Sequence, residues 1–282
     1  MSVNNSNPLS KHFRQPAIYL KLPSQGKFWP NGTLDLPLHG EIPVFPMTAK
    51  DEIVLRTPDA LINGQAIIDV MQSCCPNIVD GWKMPSVDVD AVLIAVRIAT
   101  YGSQIDVDTT CPHCGHQQTL GVDLTYMMDN IRVPDYSNKV DFNDLKIKLH
   151  PQQYYSVNNA NQIRYEEQRI INALANSELS SDIKITEYSN HLSKIVDLNL
   201  EILINSTEYV ELDDGTIVNE EQYIREFYLN CDASIVHTVQ ERLTEIAKDS
   251  GTPLIQTACP ECTKEYSVPM EFDYANFFVR NS

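Results

Sequence analysis

Two copies of one short cysteine motif restrict the fold of this 282-residue chain more than any other feature. The first reads Cys-Pro-His-Cys-Gly at residues 111–115, and the second reads Cys-Pro-Glu-Cys-Thr at residues 259–263. Two residues between the cysteines allow a tight turn to direct both sulfurs at one point. Because residues 115–258 separate the two cysteine pairs, joining them would hold two remote segments of the chain together.

Four thiolates from two such turns make a closed tetrahedral site for Zn²⁺. The predicted ligands are Cys111, Cys114, Cys259 and Cys262. Such a site leaves no open position for water, which favours a structural zinc over a catalytic one. A redox Cys-x-x-Cys pair normally lies near a βαβ unit, whereas strand-like sequence flanks both motifs here. His113 and His116 could replace a cysteine as ligand, but residues at such positions are more often exposed on the turn.

The chain before the first motif changes from turn-rich to helical sequence. Prolines and glycines interrupt residues 17–47, which predicts short strands and ordered loops. Thr48 and Asp51 are placed to cap a helix over residues 49–56. Apolar residues at helical spacing predict a second helix over residues 65–74.

A third predicted helix, over residues 87–101, is apolar nearly all round. A helix without a polar face is usually buried on several sides, so we place it at the centre of the first half. Gly102 follows at the position typical of a helix C-terminus. Asp88 and Asp90 suit the N-terminal end of the helix dipole, and Arg97 is expected to have a buried ion-pair partner.

Strand and helix patterns also divide the rest of the chain. Residues 104–110 and 117–124 flank the first motif, and residues 254–272 surround the second. Between these strand-like stretches, residues 156–250 are mostly helical, and their acidic residues are expected on solvent faces. Short hairpins are predicted over residues 145–149, after an Asn143-Asp144 turn, and over residues 208–218.

The last residues of the chain are aromatic. Phe272, Tyr274, Phe277 and Phe278 fall within eight residues. We expect this tail to dock on the core, because termini next to a strand are often packed. The alternative is an aromatic anchor that faces a partner.

The charge balance excludes one class of partner. The chain has 21 Lys and Arg against 38 Asp and Glu, which gives a formal net charge of −17. Residues 151–282 hold 9 basic and 22 acidic groups, so the second half is the more acidic. A nucleic-acid interface needs clustered cations to neutralise phosphates. We therefore expect no nucleic-acid partner.

The sequence also gives no sign of membrane insertion or export. No apolar run approaches the roughly 18 residues that a membrane-spanning helix needs. Residues 1–16 are polar and lack the apolar stretch of a secretory signal. We therefore expect no membrane partner and a reducing cytoplasm, where Cys74, Cys75 and Cys231 serve as small buried thiols.

Signatures of common enzyme classes are missing from the sequence. It contains no phosphate-binding loop, no dinucleotide fingerprint, no zinc-protease helix motif and no nucleophile elbow. Carboxylates are scattered, and nothing marks an acid–base pair. We therefore predict no catalytic residues, no enzymatic activity and no small-molecule substrate, and we assign no partner-binding residues.

An ordered set of short motifs in the first half resembles a known family. The set is Leu22-Pro23-Ser24-x-Gly26-x-Phe28-x-Pro30-x-Gly32, Asp51-Glu52, Asn63-Gly64-x-Ala66, Asp90-x-x-x-Ile94-Ala95-x-Arg97-Ile98-Ala99-x-Tyr101-Gly102 and the first cysteine motif. In this order it resembles the hub-associated baseplate protein family of T4-like contractile-tailed bacteriophages. The resemblance covers about residues 18–125, and the second cysteine motif agrees with it. Residues 156–250 carry no matching motif.

The resemblance implies a non-enzymatic component of the tail baseplate that contacts other hub or tail proteins. It would be found in the host cytoplasm during assembly and then in the virion baseplate. One alternative is a zinc-ribbon nucleic-acid-binding protein of phage transcription or replication, which would need a basic face near the motifs. There, Lys264 stands among four acidic residues. A second alternative is a thiol oxidoreductase.

Together these observations predict an α+β fold, with a helical core, short β segments and a split zinc ribbon that closes over a helical insertion. The predicted parts are a flexible N-terminal arm (1–16), a Pro/Gly-rich extended segment with a helical core (17–103), a zinc-ribbon/β domain (104–155 and 251–282) and a helical acidic insertion (156–250).

Overall fold

A computed structural model describes residues 7–56, 64–177, 180–248, 250–270 and 277–278. Helices and short strands alternate along the chain, which confirms the predicted α+β class. The described helices are α1 (Ala49–Leu55), α2 (Gln65–Cys74), α3 (Ser86–Tyr101), α4 (Leu124–Asp129), α5 (Tyr154–Ala175), α6 (Ser181–Asn205), α7 (Glu221–Asn230) and α8 (Ala233–Lys248). The described strands are β1 (Ile18–Lys21), β2 (Glu41–Val44), β3 (Gln104–Thr110), β4 (Gln117–Asp123), β5 (Val140–Phe142), β6 (Leu145–Leu149), β7 (Thr207–Glu211), β8 (Ile217–Val218), β9 (Ile255–Ala258) and β10 (Glu265–Val268).

The turn-rich start of the chain forms an antiparallel pair, β1 with β2, in which Ile18 lies opposite Val44. Helix α1 then begins with the predicted capping box. The Thr48 hydroxyl accepts a hydrogen bond from the Asp51 amide, and the Asp51 carboxylate accepts one from the Thr48 amide. Each side chain thus satisfies an amide that the first helical turn leaves without a partner.

Arg14, which the sequence analysis places in a flexible arm, is held against the N-terminal core. Its guanidinium donates to the carbonyl oxygens of Pro46 at 2.8 Å and Ser73 at 2.7 Å. It also lies 3.4 Å from a carboxylate oxygen of Asp51. Arg14 therefore joins the segment before β1 to helices α1 and α2.

Helix α3 is the centre of the N-terminal core, as its apolar sequence predicts. It packs against β1, β2, α2, α4 and α5. Gly102 follows the helix with a φ of 90°, a conformation that glycine adopts without steric cost. The buried apolar residues of α3 are Val89, Ala91, Val92, Leu93, Ile94, Ala95 and Val96.

A buried carboxylate connects the turn-rich segment to α3. Asp88, in the first turn of α3, is completely buried. It accepts hydrogen bonds from the Ser24 amide at 2.8 Å, the Ser24 hydroxyl at 2.5 Å and the Trp29 indole N–H at 2.8 Å. Burial raises the pKa of Asp88, and these hydrogen bonds oppose that shift. Ser24, which belongs to the first motif of the set, is thus fixed to the start of α3.

Among the described residues, Arg97 has no carboxylate as an ion-pair partner. Its side chain is buried, and within the described ranges its Nε and Nη1 atoms have no hydrogen-bond partner. The guanidinium instead lies over the rings of Tyr101 at 4.8 Å and Phe277 at 6.0 Å. The prediction was wrong because cation–π contact with two aromatic rings takes the place of a carboxylate.

Part of the aromatic tail docks on the N-terminal core. Phe277 and Phe278 are both buried there, and their rings meet edge to face at 5.1 Å. Docking, the preferred expectation, is therefore observed for these two residues. Phe272 and Tyr274 lie outside the described residues.

A second core forms around a four-stranded antiparallel sheet in the order β5-β6-β7-β8. Ile147 lies opposite Val210 in this sheet, and helices α6, α7 and α8 contribute apolar residues to the same cluster. Strand pairing thus joins residues 140–149 to residues 207–218, across the predicted boundary at residue 155. The predicted domain limits remain untested. The pairing nevertheless shows that β5 and β6, which were predicted to belong to the zinc-ribbon domain, share a sheet with strands of the insertion.

Two long helices, α5 and α6, lie next to each other at the start of the insertion. They contain 22 and 25 residues, respectively, and both carry charged side chains. Within the part of the chain that the structure describes, no helix has the length and apolar character needed to span a membrane.

Candidate metal centre

The first knuckle, residues 111–115, connects β3 to β4 in a tight turn. The two strands pair from Gln104 opposite Asp123 to Thr110 opposite Gln117, so the turn begins where the ladder ends. The Cys111 amide donates to the His116 carbonyl at 2.8 Å, and the Gly115 amide donates to the Cys111 carbonyl at 3.0 Å. The turn places Cys111 in the interior and leaves Cys114 exposed.

The second knuckle, residues 259–263, connects β9 to β10 with the same pattern. The Cys259 amide donates to the Lys264 carbonyl at 3.0 Å, and the Thr263 amide donates to the Cys259 carbonyl at 2.9 Å. Cys259 is buried and Cys262 is half-buried. Both knuckles thus lie between paired strands, which differs from the helix start where a redox Cys-x-x-Cys pair is found.

The fold brings the four predicted sulfurs together. Cys111 Sγ lies 3.7 Å from Cys262 Sγ, and Cys114 Sγ lies 3.6 Å from Cys259 Sγ. All four sulfurs lie within 4.8 Å of one another. A tetrahedron with Zn–S bonds of about 2.3 Å separates its sulfurs by about 3.8 Å, whereas a disulfide requires about 2.05 Å. The spacing fits one tetrahedral metal ion.

The local backbone favours ionised sulfur at the first cysteine of each knuckle. Burial opposes ionisation of Cys111, but N–H groups of His113 and Cys114 outweigh it and lower the pKa of Cys111 to about 7. At Cys259, the N–H group of Cys262 is the main cause of a lowered pKa. A metal binds the thiolate form of cysteine, so these backbone donors prepare the site for a cation.

The second cysteine of the first knuckle behaves differently. The His116 amide favours its thiolate, but partial desolvation of the sulfur and hydrogen bonds to the three neighbouring thiols outweigh that effect and raise the pKa of Cys114 to about 12. A cation at the centre of the four sulfurs would oppose this shift, because its charge favours the thiolate over the thiol.

The two histidines near the first knuckle are not part of the cluster. Among the described residues, the metal-ligating groups that converge are the four cysteines, without His113 or His116. His113 is exposed, as expected for a residue on the turn. The alternative in which a histidine replaces a cysteine therefore finds no support in the geometry.

The three remaining cysteines lie away from this cluster. Cys74 and Cys75 are fully buried in the N-terminal core, and Cys231 is half-buried at the end of α7. Burial raises the pKa of Cys74 to about 12. The expectation of small buried thiols is met by Cys74 and Cys75 and only in part by Cys231.

Two side chains that the sequence analysis missed connect the hairpins outside the sulfur cluster. The Gln118 side-chain amide donates to the Tyr266 hydroxyl at 2.7 Å. Tyr266 also packs with Val268 and the buried cysteines in a small apolar cluster of their own. The alternation of strands β4 and β10 is visible in the sequence and places both side chains inward. It does not show that Gln118 and Tyr266 would contact each other.

A family model described as T4 bacteriophage base plate protein matches residues 16–279. The match includes both knuckles and continues through residues 156–250, for which the sequence analysis found no motif. No curated protein and no solved structure matches the chain significantly.

Proposed function

Since the chain belongs to the T4 bacteriophage base plate protein family, we propose that this structural component of the phage baseplate acts in the hub region. In this proposal it works through contacts with other hub or tail proteins and catalyses no reaction. It assembles in the host cytoplasm and then occupies the tail baseplate of the virion.

One observation carries the proposal, namely the family match over residues 16–279. That range includes both cores, the two knuckles and the helical insertion, so the family relationship extends over the whole architecture. In this proposal, a baseplate protein acts by contacting neighbouring subunits. Such a role requires rigid segments and does not require a reactive group.

We further propose that the four cysteines hold a structural Zn²⁺. The sulfur spacing, the two lowered pKa values and the flanking strands support this identity, since zinc prefers four-coordinate tetrahedral thiolate sites. Four protein ligands leave no position for a reacting water molecule, which supports a structural role.

The metal would determine how the hairpins are arranged. It would join β3-β4 to β9-β10 across an intervening chain of more than a hundred residues. Structural zinc contributes on the order of 10 kcal/mol to the folding of small zinc-finger peptides. A contribution of that order would hold the two ends of the insertion at a fixed separation while its helices contact neighbouring proteins.

The test combines metal analysis with deletion of the gene in the phage. We expect one zinc ion per purified chain, and we expect the deletion phage to lack complete baseplates. Complementation with the unchanged chain should restore tails, and complementation with Cys231→Ser, which lies outside the cluster, should restore them equally. Normal tails from the deletion phage would refute the proposed function.

A further inference from the structure

A large cleft lies between α5 and α6 in the helical insertion. Its volume is about 1090 Å³, and its walls also include the turn at residues 28–30, Glu208 in β7 and Glu221 in α7. Small-molecule pockets usually range from roughly 300 to 1,000 Å³. The size of this half-open cleft therefore suits a peptide segment better than a small ligand.

The charged residues that line the cleft are mostly acidic. The six carboxylates are Glu166, Glu167, Asp197, Glu201, Glu208 and Glu221, and the two cations are Lys83 and Lys194.

Some of these charges are already neutralised within the chain. Lys194 lies 3.1 Å from Glu167, and Arg225 binds Glu201 and Glu221 from outside the cleft. Within the described residues, the remaining three carboxylates, Glu166, Asp197 and Glu208, form neither a hydrogen bond nor an ion pair; Glu208 interacts electrostatically with His150, which also lines the cleft. The cleft therefore presents three carboxylates that are free to bind a cationic partner.

Aromatic and aliphatic side chains form part of the cleft surface, beside neutral polar residues such as Asn159 and Asn205. Tyr155 is 58% exposed and Phe28 is 37% exposed, and Trp29, Ile163 and Leu198 line the same space. Aromatic faces beside carboxylates favour arginine and lysine, whose cations interact with the ring and whose stems pack on apolar surface. Such a surface recognises an amphipathic basic segment.

The fold fixes one aromatic ring at the rim of the cleft. Phe28 has a φ of 67°, a left-handed conformation that is rare for a bulky residue. Such a conformation persists where the surrounding structure holds the residue in place. Here the strained backbone supports an aromatic ring that packs edge to face on Tyr136 at 5.6 Å and leaves part of its surface in the cleft.

We propose that this cleft binds a segment of a neighbouring tail protein that carries lysine or arginine next to apolar residues. The inference rests on the proposed function, which supplies the neighbouring proteins, and goes beyond it by naming the surface and the chemistry of the partner. A second copy of this chain is a poorer occupant, because a net charge of −17 makes copies repel one another. Nucleic acid is repelled by the same carboxylates.

A peptide probe tests the cleft directly. The probe is a short fluorescent peptide with arginine and leucine on one helical face, and its binding to the full zinc-containing chain is followed by anisotropy. The cleft variant combines Glu166→Gln, Asp197→Asn and Glu208→Gln. The control combines Asp129→Asn, Glu226→Gln and Glu241→Gln, three exposed carboxylates outside the cleft.

We expect the cleft variant to weaken peptide binding about tenfold, since three exposed ion pairs are lost. The control removes the same formal charge, so it should weaken binding less than about twofold at physiological salt. Equal weakening by both variants would mean general attraction to an acidic protein and would overturn the proposal. Loss of self-association in the cleft variant, with the peptide still bound, would assign the cleft to a second copy and also overturn it.

An assay of baseplate assembly can show that the cleft proposal is wrong while the proposed function still holds. We expect the cleft variant to keep its zinc and its thermal stability but to form fewer complete baseplates than the control in a complemented deletion phage. If it assembles baseplates as well as the control does, the cleft proposal fails. The proposed function would still stand in that case, because the deletion phage tests it.

Discussion

In the first knuckle the residue after the second cysteine is Gly115, and in the second knuckle it is Thr263. Both adopt the left-handed conformation, with φ values of 76° and 58°. Both donate an amide hydrogen bond to the carbonyl of the first cysteine, at 3.0 Å and 2.9 Å, respectively. The same turn is therefore built once with the residue suited to it and once with a β-branched residue that rarely adopts this conformation.

This difference shows that the turn residue does not determine the knuckle. A left-handed non-glycine residue costs roughly 1–2 kcal/mol, whereas a structural zinc contributes on the order of 10 kcal/mol in small peptides. A strain of that size at Thr263 would be small beside the free energy of binding the proposed zinc ion. The cysteines and their strands therefore specify the site, and the following residue adjusts its stability.

Removal of one sulfur is expected to have the largest effect, and it tests whether the two knuckles are equivalent. We expect Cys114→Ser and Cys262→Ser to lose zinc to a similar extent, because each variant leaves three thiolates for one ion. Amide hydrogen exchange should then accelerate in both hairpins, β3-β4 and β9-β10. Cys231→Ser, outside the cluster, is the matched control and should retain full zinc. Retention of zinc by one cluster variant would show that the knuckles are unequal.

Acidification tests whether the knuckles release the metal together. Protons compete with zinc for each thiolate, so occupancy falls as the pH is lowered. Cys111 and Cys259 have lowered pKa values. Their thiolates therefore persist until the pH falls through those lowered values, and the stability that the thiolates contribute is lost in the same range. We expect a single release step, followed with a colorimetric zinc indicator. Two separated steps would indicate that one knuckle binds metal without the other.

The sequence was sufficient to predict which four cysteines would cluster, because the information for the two turns is local. Two matching Cys-x-x-Cys pairs, each between strand patterns, identify the proposed ligands and the turn without knowledge of the rest of the fold. The pairing of β6 with β7 was not predictable in this way. Alternation identifies Leu145–Leu149 as a strand, but it does not say which remote strand will be the partner.

Two further features depended on contacts that sequence spacing does not reveal. Arg97 was expected to meet a carboxylate, but it lies over the ring of Phe277 from the far end of the chain. The cleft in the insertion was also missed. Composition shows that the second half is acidic, but only the packing of α5, α6 and β7 shows that Glu166, Asp197 and Glu208 line one space.

A substitution at the glycine of the first knuckle is expected to have the next largest effect. Gly115→Ala places a Cβ in open space, since no atom lies within 4 Å of its ideal position. Only the backbone conformation is then penalised, and we expect a loss of about 1 kcal/mol in the free energy of unfolding. Urea denaturation of the zinc-loaded chain measures this value. An unchanged midpoint would mean that the first knuckle tolerates strain as the second does.

The reverse substitution at the second knuckle has the smallest expected effect. Thr263→Gly removes the left-handed strain, but glycine also loses more backbone entropy on folding, and the Thr263 hydroxyl gives up its hydrogen bond to the Cys262 carbonyl at 2.8 Å. These opposing terms leave a net gain of about 0.5 kcal/mol or less. Chelator competition should accordingly show zinc affinity equal to that of the unchanged chain or up to about twofold tighter. A clear loss of zinc affinity would instead show that the Thr263 side chain stabilises the turn. The two knuckles would then be stabilised by different contacts as well as containing different residues.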